Sequence, residues 1–176
     1  MRTLRLKLVW LLVIPFLWFA SPTASSILVG VALGLVGLLI RGWAAGTIRK
    51  EEQLTTTGPY AYTRNPLYIG SLVLGVGITL GGGHLTWVAL FLVFYLVVYT
   101  RTMVGESRLL TELFGERYAR YAGQVPAFFP RLTPYRGPDD TGGGFSLIRY
   151  RRNNEWEAVL GFVLVFGYLT VRWWMA

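Results

Sequence analysis

The residues best suited to chemistry lie in one short stretch, Gly58-Pro-Tyr-Ala-Tyr-Thr-Arg-Asn-Pro-Leu-Tyr-Ile-Gly70, just before and at the start of an apolar run. Its tyrosines can offer ring faces to a cation, and its arginine is a fixed cation that attracts anions. We therefore expect this stretch to hold a charged ligand beside a bilayer. An interfacial belt of aromatic residues is the alternative. The side chains concerned are Tyr60, Tyr62, Arg64 and Tyr68.

The pair Asn65-Pro66 predicts that a helix begins inside this stretch. An asparagine side chain can cap free backbone N–H groups, and proline is tolerated at the first helical position. The positive end of that helix would face the same ligand. A helix cap without a ligand is the alternative interpretation.

Composition indicates a membrane protein. Of the 176 residues 53% are hydrophobic and 15% are charged, whereas soluble domains carry about a quarter charged residues. The net charge of +8 lies in segments that flank apolar runs, so we assign it to a membrane surface and predict no nucleic-acid partner. Without cysteine and with one histidine, the chain has no disulfide and we predict no metal site.

Apolar runs predict an all-α fold, an integral membrane helical bundle of about five transmembrane helices, because helices satisfy their own backbone hydrogen bonds in hydrocarbon. A cleaved signal peptide is the alternative for the first run. The runs are Leu8–Ala20, Ser26–Ile40, Leu67–Leu80, Leu85–Thr100 and Ala158–Val171.

Charge placement predicts the orientation of this multi-pass protein. With a cytoplasmic N-terminus, only Arg172 of the seventeen basic residues would lie outside, as the positive-inside rule requires. We expect a prokaryotic inner membrane. Pro22 and Gly81-Gly82-Gly83 would turn two tight helical hairpins on the outer side. The glycines 30, 34 and 37 would let the second helix approach a neighbour closely.

Three regions are predicted along the chain. Residues 1–131 form the membrane core, residues 132–155 form a cytoplasmic linker with a basic interfacial segment, and residues 156–176 form an additional C-terminal helix. The linker is rich in glycine and proline. The segment Phe145–Arg152 is basic and partly apolar, so we expect it to lie on anionic membrane lipids.

Two blocks together resemble the integral-membrane isoprenylcysteine carboxyl methyltransferase and phospholipid methyltransferase group, over roughly Lys50–Arg131. The first block is the stretch described above. The second follows after a predicted hairpin and consists of Glu106, Leu110, Phe114-Gly115, Tyr118, Tyr121, Val125-Pro126 and Pro130.

The resemblance implies an S-adenosylmethionine pocket that faces the cytoplasm between the blocks, S-adenosylhomocysteine as product, and a lipophilic substrate that enters from the bilayer. It implies cofactor contacts at Glu52, Gln53, Leu54, Thr55, Tyr60, Asn65, Pro66, Leu67, Tyr68 and Glu106. Glu106 would bind the cofactor's ammonium or ribose hydroxyls, with general-base catalysis as a lesser role. A solvated partner of Arg101 or Arg108 is the alternative for Glu106.

Three positions depart from the group's pattern. Asn65 stands where the group usually has histidine, and an amide cannot carry a proton at physiological pH. Ser107 replaces the second acidic residue of the signature. Thr102 falls where isoprenylcysteine enzymes have the arginine that contacts the substrate carboxylate, so Arg101, one place away, is the candidate catalytic cation.

The function implied is methyl transfer to a lipophilic substrate, by resemblance an isoprenylcysteine-type carboxylate. A carboxylate nucleophile is already ionised, so positioning and charge complementarity supply most of the catalysis. Two alternatives stay open, namely a phospholipid amine N-methyltransferase and a non-catalytic lipid-binding relative. The sequence does not reveal the oligomeric state.

Overall fold

The computed structural model describes residues 12–49, 53–137 and 144–176, and all regular secondary structure within them is helical. The all-α prediction is therefore confirmed. A short 3-10 turn spans Gly58–Ala61. The helices are residues 12–19 (α1), Ala24–Thr47 (α2), Pro66–Gly81 (α3), Leu85–Gln124 (α4), Leu147–Arg152 (α5) and Trp156–Trp174 (α6).

Three helices in the described part of the chain, α2, α4 and α6, are long and apolar enough to cross a membrane. The apolar helix α3 is shorter, with 16 residues. The first predicted run, Leu8–Ala20, begins outside the described residues. The number of five spans therefore stays a prediction.

Helices α2 and α3 pack backbone against backbone through glycines, as the spacing in α2 predicts. A Cβ atom added to Gly30 would lie 2.6 Å from the Gly77 carbonyl oxygen, and one added to Gly37 would lie 2.5 Å from the Leu74 nitrogen. Such contact maximises dispersion between helices that share an apolar environment. Gly34 in the same row faces the ring of Phe162 in α6, so α6 packs against α2 and α3 at this seam.

Both predicted hairpin turns are present. The turn before α2 is fixed by a reciprocal cap in which the Thr23 hydroxyl accepts from Ser26 N at 3.1 Å and the Ser26 hydroxyl accepts from Thr23 N at 2.9 Å. Helix α3 ends at Gly81, and Gly83 has a φ of 88°, a conformation that favours glycine. Ser21 N donates to the Gly82 carbonyl at 3.0 Å, which joins the two turns.

Helix α4 changes direction at Gly115, where φ is 50° and ψ is −124°. The residues beyond this break fold back towards the turn between α2 and α3. Tyr118, Tyr121 and Val125 are buried there with Leu54 and Ala61, and together they form a hydrophobic core cluster. The break therefore positions the second block against the first.

The C-terminal segment docks on the end of α2. Ser146 N and Arg149 Nε both donate to the Gly46 carbonyl at 2.9 Å, and Asn153 Nδ2 donates to the Ala45 carbonyl at 2.8 Å. These bonds satisfy carbonyl groups that a helix end leaves without partners. The middle of the predicted linker, residues 138–143, lies outside the described residues, and the three-region division stays a prediction.

Candidate functional site

A cavity of about 650 Å³ lies where the two blocks meet. This volume falls within the roughly 300–1,000 Å³ typical of small-molecule sites. Its walls come from the end of α2, residues 53–55, the 3-10 turn, the start of α3, α4 on both sides of Gly115, and Glu155. Segments far apart in the chain therefore build one site.

Backbone hydrogen bonds join the two blocks directly. Arg64 N donates to the Pro126 carbonyl at 3.0 Å, and the Thr63 hydroxyl donates to the Phe128 carbonyl at 2.9 Å. The Tyr121 hydroxyl donates to the Tyr60 carbonyl at 2.7 Å. These bonds fix the first block against the end of α4 and the segment that follows it, so the fold holds the cavity between them.

Tyr68 and Glu106 meet at the cavity wall. The Tyr68 hydroxyl donates to Glu106 Oε1 at 2.5 Å. Tyr68 itself is held by aromatic contact with Tyr99 and by the Tyr95 hydroxyl, which donates to the Tyr68 carbonyl at 2.7 Å. The arrangement presents a carboxylate in a fixed position, as binding of an ammonium group or sugar hydroxyls requires.

The hydroxyl of Tyr60 is buried and has no hydrogen-bond partner within the described residues. Burial raises the pKa of Tyr60 well above its ordinary value, and the nearby Tyr121 and Glu106 raise it further. The phenol therefore stays protonated at physiological pH and is a hydrogen-bond donor beside the cavity. A buried donor of this kind is costly without an acceptor.

Arg41 and Glu155 form a bidentate ion pair on another wall. Arg41 Nε donates to Glu155 Oε2 at 3.0 Å, and Nη2 donates to Oε1 at 2.8 Å. Arg41 Nη1 also donates to the Ser71 hydroxyl. The pair ties α2 and α3 to the start of α6 and neutralises a cation that faces the cavity.

Most of the predicted cofactor contacts are brought together. Pro66 is buried at the first position of α3 and does not line the cavity. Glu52 lies outside the described residues, so its predicted contact is not placed. The predicted residues that line the cavity are Gln53, Leu54, Thr55, Tyr60, Asn65, Leu67, Tyr68 and Glu106.

Arg101, the predicted catalytic cation, is exposed on α4 and is not among the residues that line the cavity. It lies five positions before Glu106, which places it about 140° away around a helix of 3.6 residues per turn. The structure therefore does not bring these two predicted catalytic residues together.

The prediction that the Asn65 side chain caps α3 is wrong. Asn65 does precede α3, with Pro66 at the first position, but its amide makes no cap hydrogen bond. Instead, Nδ2 donates to the Ala127 carbonyl at 2.8 Å. The backbone at φ −128° and ψ 54° departs from the extended conformation of a usual N-cap, and the amide joins the second block.

Some residues of the site were not predicted. Arg41 and Glu155 are 114 positions apart, and the only signal in the sequence was a charge at the edge of an apolar run. Arg64 was predicted to help hold a charged ligand but was not among the implied cofactor contacts, and it lines the cavity. Other cavity-lining residues that were not predicted as site residues include Ser71, Tyr118 and Tyr121.

Comparison with known proteins gives the family. The model of the phospholipid methyltransferase family matches residues 25–117, more than half of the chain. The chain belongs to this family. The matched region includes α2, α3 and α4 as far as the residues just beyond Gly115, and therefore most of the cavity. With its three long apolar helices, this member of the family is a membrane protein.

Curated relatives extend the comparison. The chain is 36% identical over 122 residues to the cobalt-zinc-cadmium resistance protein CzcN of Cupriavidus metallidurans, covering 68% of this chain and 55% of that protein. It is 35% identical over 121 residues to the nickel-cobalt-cadmium resistance protein NccN of Alcaligenes xylosoxydans xylosoxydans, with the same coverage. The chain thus spans about half the length of these relatives.

A third relative is the protein-S-isoprenylcysteine O-methyltransferase of Schizosaccharomyces pombe. It is 30% identical over 83 residues, which are 47% of this chain and 35% of that protein. No solved structure matches the chain significantly.

Proposed function

We propose that this chain is an S-adenosylmethionine-dependent methyltransferase that acts on a lipophilic carboxylate. The observation that carries the proposal is the contact of Tyr68 with Glu106 at the wall of a cavity of about 650 Å³ that the family-matched region largely builds. The similarity to an isoprenylcysteine O-methyltransferase supports the carboxylate as acceptor.

The residues fit such a cofactor. Glu106 offers a carboxylate to the ammonium group or to ribose hydroxyls, and Tyr60 offers a buried donor that has no acceptor among the described residues. Bound there, the cofactor would supply a methyl group on a positively charged sulfur for transfer to a substrate carboxylate oxygen, with S-adenosylhomocysteine as the leaving group. No proton has to move, so the chain contributes by orienting both reactants.

The substrate in this proposal enters from the bilayer, since α4 carries exposed apolar side chains next to the cavity, such as Val104 and Leu109. The proposed orientation has the N-terminus and the cavity on the cytoplasmic side of a prokaryotic inner membrane. Anionic lipids would contact the basic segment that contains α5.

Phospholipid amine N-methylation is the second candidate, favoured by the family whose model matches the chain. An amine must lose a proton before attack, and Glu106 is the carboxylate at the Tyr68 contact that would influence it. The carboxylate and amine candidates therefore differ in what Glu106 does. A non-catalytic lipid-binding protein is the third, and it differs from both in lacking methyl transfer.

Two measurements test the proposal. Calorimetry of the full chain in detergent should show saturable binding of S-adenosylhomocysteine, weakened about tenfold in Glu106→Gln by loss of a charged partner, and hardly changed in Glu112→Gln, an exposed carboxylate outside the cavity. Absence of saturable binding by the folded wild type would contradict it.

The second measurement uses S-adenosylmethionine with a radioactive methyl group and a lipid extract. A methyl ester releases radioactive methanol in alkali, whereas an N-methyl group does not. We expect alkali-labile product. Alkali-stable product would favour the amine, and binding without product would favour the lipid-binding relative.

A further inference from the structure

Arg64 is held at the cavity by neutral groups. Its backbone N–H is bonded to Pro126, and its Nη1 donates to the Tyr118 hydroxyl at 3.1 Å. The guanidinium carbon lies 5.9 Å from the centre of the Tyr118 ring, within the range of a cation–π contact. The Tyr118 hydroxyl is in turn 2.8 Å from the Ser107 hydroxyl. The side chain therefore has a fixed place.

The charge of Arg64 has no anionic partner among the described residues. Two other arginines line the cavity, Arg41 and Arg49, and the side chain of each bonds a residue other than a tyrosine. Arg41 is paired with Glu155, and Arg49 Nη1 donates to Gln53 Oε1 at 2.7 Å on the exposed side. Arg64 alone of these three has a buried nitrogen, Nε, without a hydrogen-bond partner in the described ranges.

A guanidinium cannot give up its charge in a protein, so a partly buried Arg64 that has no anionic partner among the described residues is costly unless a ligand compensates it. Arginine presents its N–H groups in a planar fork that matches the two oxygens of a carboxylate or phosphate. Because Arg64 lines the cavity, the compensating group can come from a molecule bound there.

We propose that Arg64 is a binding residue for an anionic oxygen group of a ligand in this cavity, a carboxylate or a phosphate. The inference rests on the proposed function for the identity of the ligand. The anion has two possible sources, the amino-acid carboxylate of the cofactor or the anionic group of the lipophilic substrate. Tyr118 and Ser107 are positioning residues for the guanidinium.

The test compares ligands that differ in the anion alone or in the part that carries it. S-Adenosylhomocysteine is compared with 5′-methylthioadenosine, which lacks the amino-acid part, and oleate is compared with methyl oleate. Binding is measured by calorimetry in detergent for the wild type, Arg64→Met and Arg64→Lys. Arg108→Met, an exposed arginine that does not line the cavity, is the matched control.

If the cofactor supplies the anion, Arg64→Met weakens S-adenosylhomocysteine about tenfold or more and leaves 5′-methylthioadenosine unchanged. If the substrate supplies it, the same variant weakens oleate by a similar factor and leaves methyl oleate and the cofactor product unchanged. In both cases Arg64→Lys, which keeps a charge but loses the planar fork, lies between the wild type and Arg64→Met.

Ser107→Glu gives a readout that a merely structural role would not produce. The new carboxylate would sit next to Tyr118 within reach of Arg64, so it should raise the unfolding temperature of the ligand-free protein and weaken the anionic ligand. The proposal is overturned if Arg64→Met changes none of the four affinities, or weakens all four equally. If the wild type binds oleate but not S-adenosylhomocysteine, the proposed function fails, while the oleate comparison still tests Arg64.

Discussion

The hydroxyl of Tyr60 is a hydrogen-bond donor beside the cavity that is buried and has no acceptor within the described residues. Removing this hydroxyl should raise the free energy of unfolding of the ligand-free protein by about 1 kcal/mol, the lower end of the penalty for an unsatisfied buried polar group. Tyr60→Phe should therefore unfold at equal or higher denaturant concentration than the wild type and bind S-adenosylhomocysteine about tenfold more weakly.

Tyr62→Phe is the matched control, since Tyr62 belongs to the same stretch and does not line the cavity. It should leave the affinity unchanged. Equal weakening by both variants would show that Tyr60 has no specific part in binding.

The raised pKa of Tyr60 also predicts a pH dependence of stability. Above about pH 10, the phenol ionises in the unfolded chain while the folded protein still holds its proton, so the unfolded state is favoured. The pH-dependent part of the free energy of unfolding that comes from Tyr60 is therefore complete below about pH 10. It is lost as pH rises towards the pKa of Tyr60 in the folded protein. The free energy of unfolding should fall less steeply above pH 10 in Tyr60→Phe than in the wild type, and identical slopes would contradict the assignment.

At the scale of single residues, local sequence predicted what a side chain is able to do better than which partner it takes. Asn65 was expected to bond the nearest free backbone groups, yet it bonds the Ala127 carbonyl 62 positions away. A cap would use the amide oxygen as an acceptor, whereas the observed bond uses the amide nitrogen as a donor. Only the tertiary arrangement decides which of the two bonds forms.

The ion pair of Arg41 and Glu155 joins helices that build the cavity, so breaking it should lower the stability of the folded protein. Glu155→Gln leaves Arg41 unpaired, and because the two side chains are 22% and 9% exposed we expect a loss of about 2 kcal/mol, below the 3–5 kcal/mol of a fully buried pair. Unfolding by denaturant in detergent would measure it. The double variant Arg41→Gln with Glu155→Gln should cost less than the two single changes added together, and simple additivity would contradict a coupled pair.

The seam of α2 and α3 depends on the absence of side chains at its glycines. A Cβ atom at Gly77 would lie 2.6 Å from Gly34 N and 2.7 Å from the Gly30 carbonyl oxygen, and neither backbone group can move aside easily. Gly77→Ala should therefore cost about 2 kcal/mol of stability through overpacking.

Gly161→Ala in α6 is the control, because nothing lies within 4 Å of its added Cβ atom. This change should be neutral or stabilise the helix by up to about 1 kcal/mol. If the two alanine variants have the same free energy of unfolding, the close approach at Gly77 is not what holds α2 and α3 together.

Helix ends and turns were predictable because their causes are local. The turns at Pro22 and at Gly81-Gly82-Gly83 were predicted from residues that act within a few positions of themselves, and the structure has a helix boundary at each. The pairing of Arg41 with Glu155 was not predictable, since no local rule selects a partner across more than a hundred positions. Arg101 shows that chain proximity to Glu106 does not place two side chains on one helix face.

For the whole molecule, the orientation in the membrane is open to a direct test, because the chain contains no cysteine. His84→Cys lies in the predicted outer turn, and Gly144→Cys lies at an exposed position in the predicted cytoplasmic segment. In intact cells, a maleimide that cannot cross membranes should label the first variant and not the second, and in inverted vesicles the labelling should reverse. The opposite pattern would place the cavity on the outer side.

The meeting of the two blocks was the part of the architecture that resemblance supplied and that periodicity alone could not. Tyr68 and Glu106 are 38 positions apart, and the hairpin of α3 and α4 returns them to the same end of the bundle. The break at Gly115 then folds Tyr118 and Tyr121 over the first block. The cavity is a consequence of both features.

A structure of the full chain bound to S-adenosylhomocysteine tests the central claim most directly. We predict that the ligand lies between the first block and α4, with its amino-acid part or ribose within hydrogen-bond distance of Glu106 and with the Tyr60 hydroxyl donating to it. A ligand bound elsewhere on the molecule, or one in the cavity that touches neither Glu106 nor Tyr60, would contradict the account.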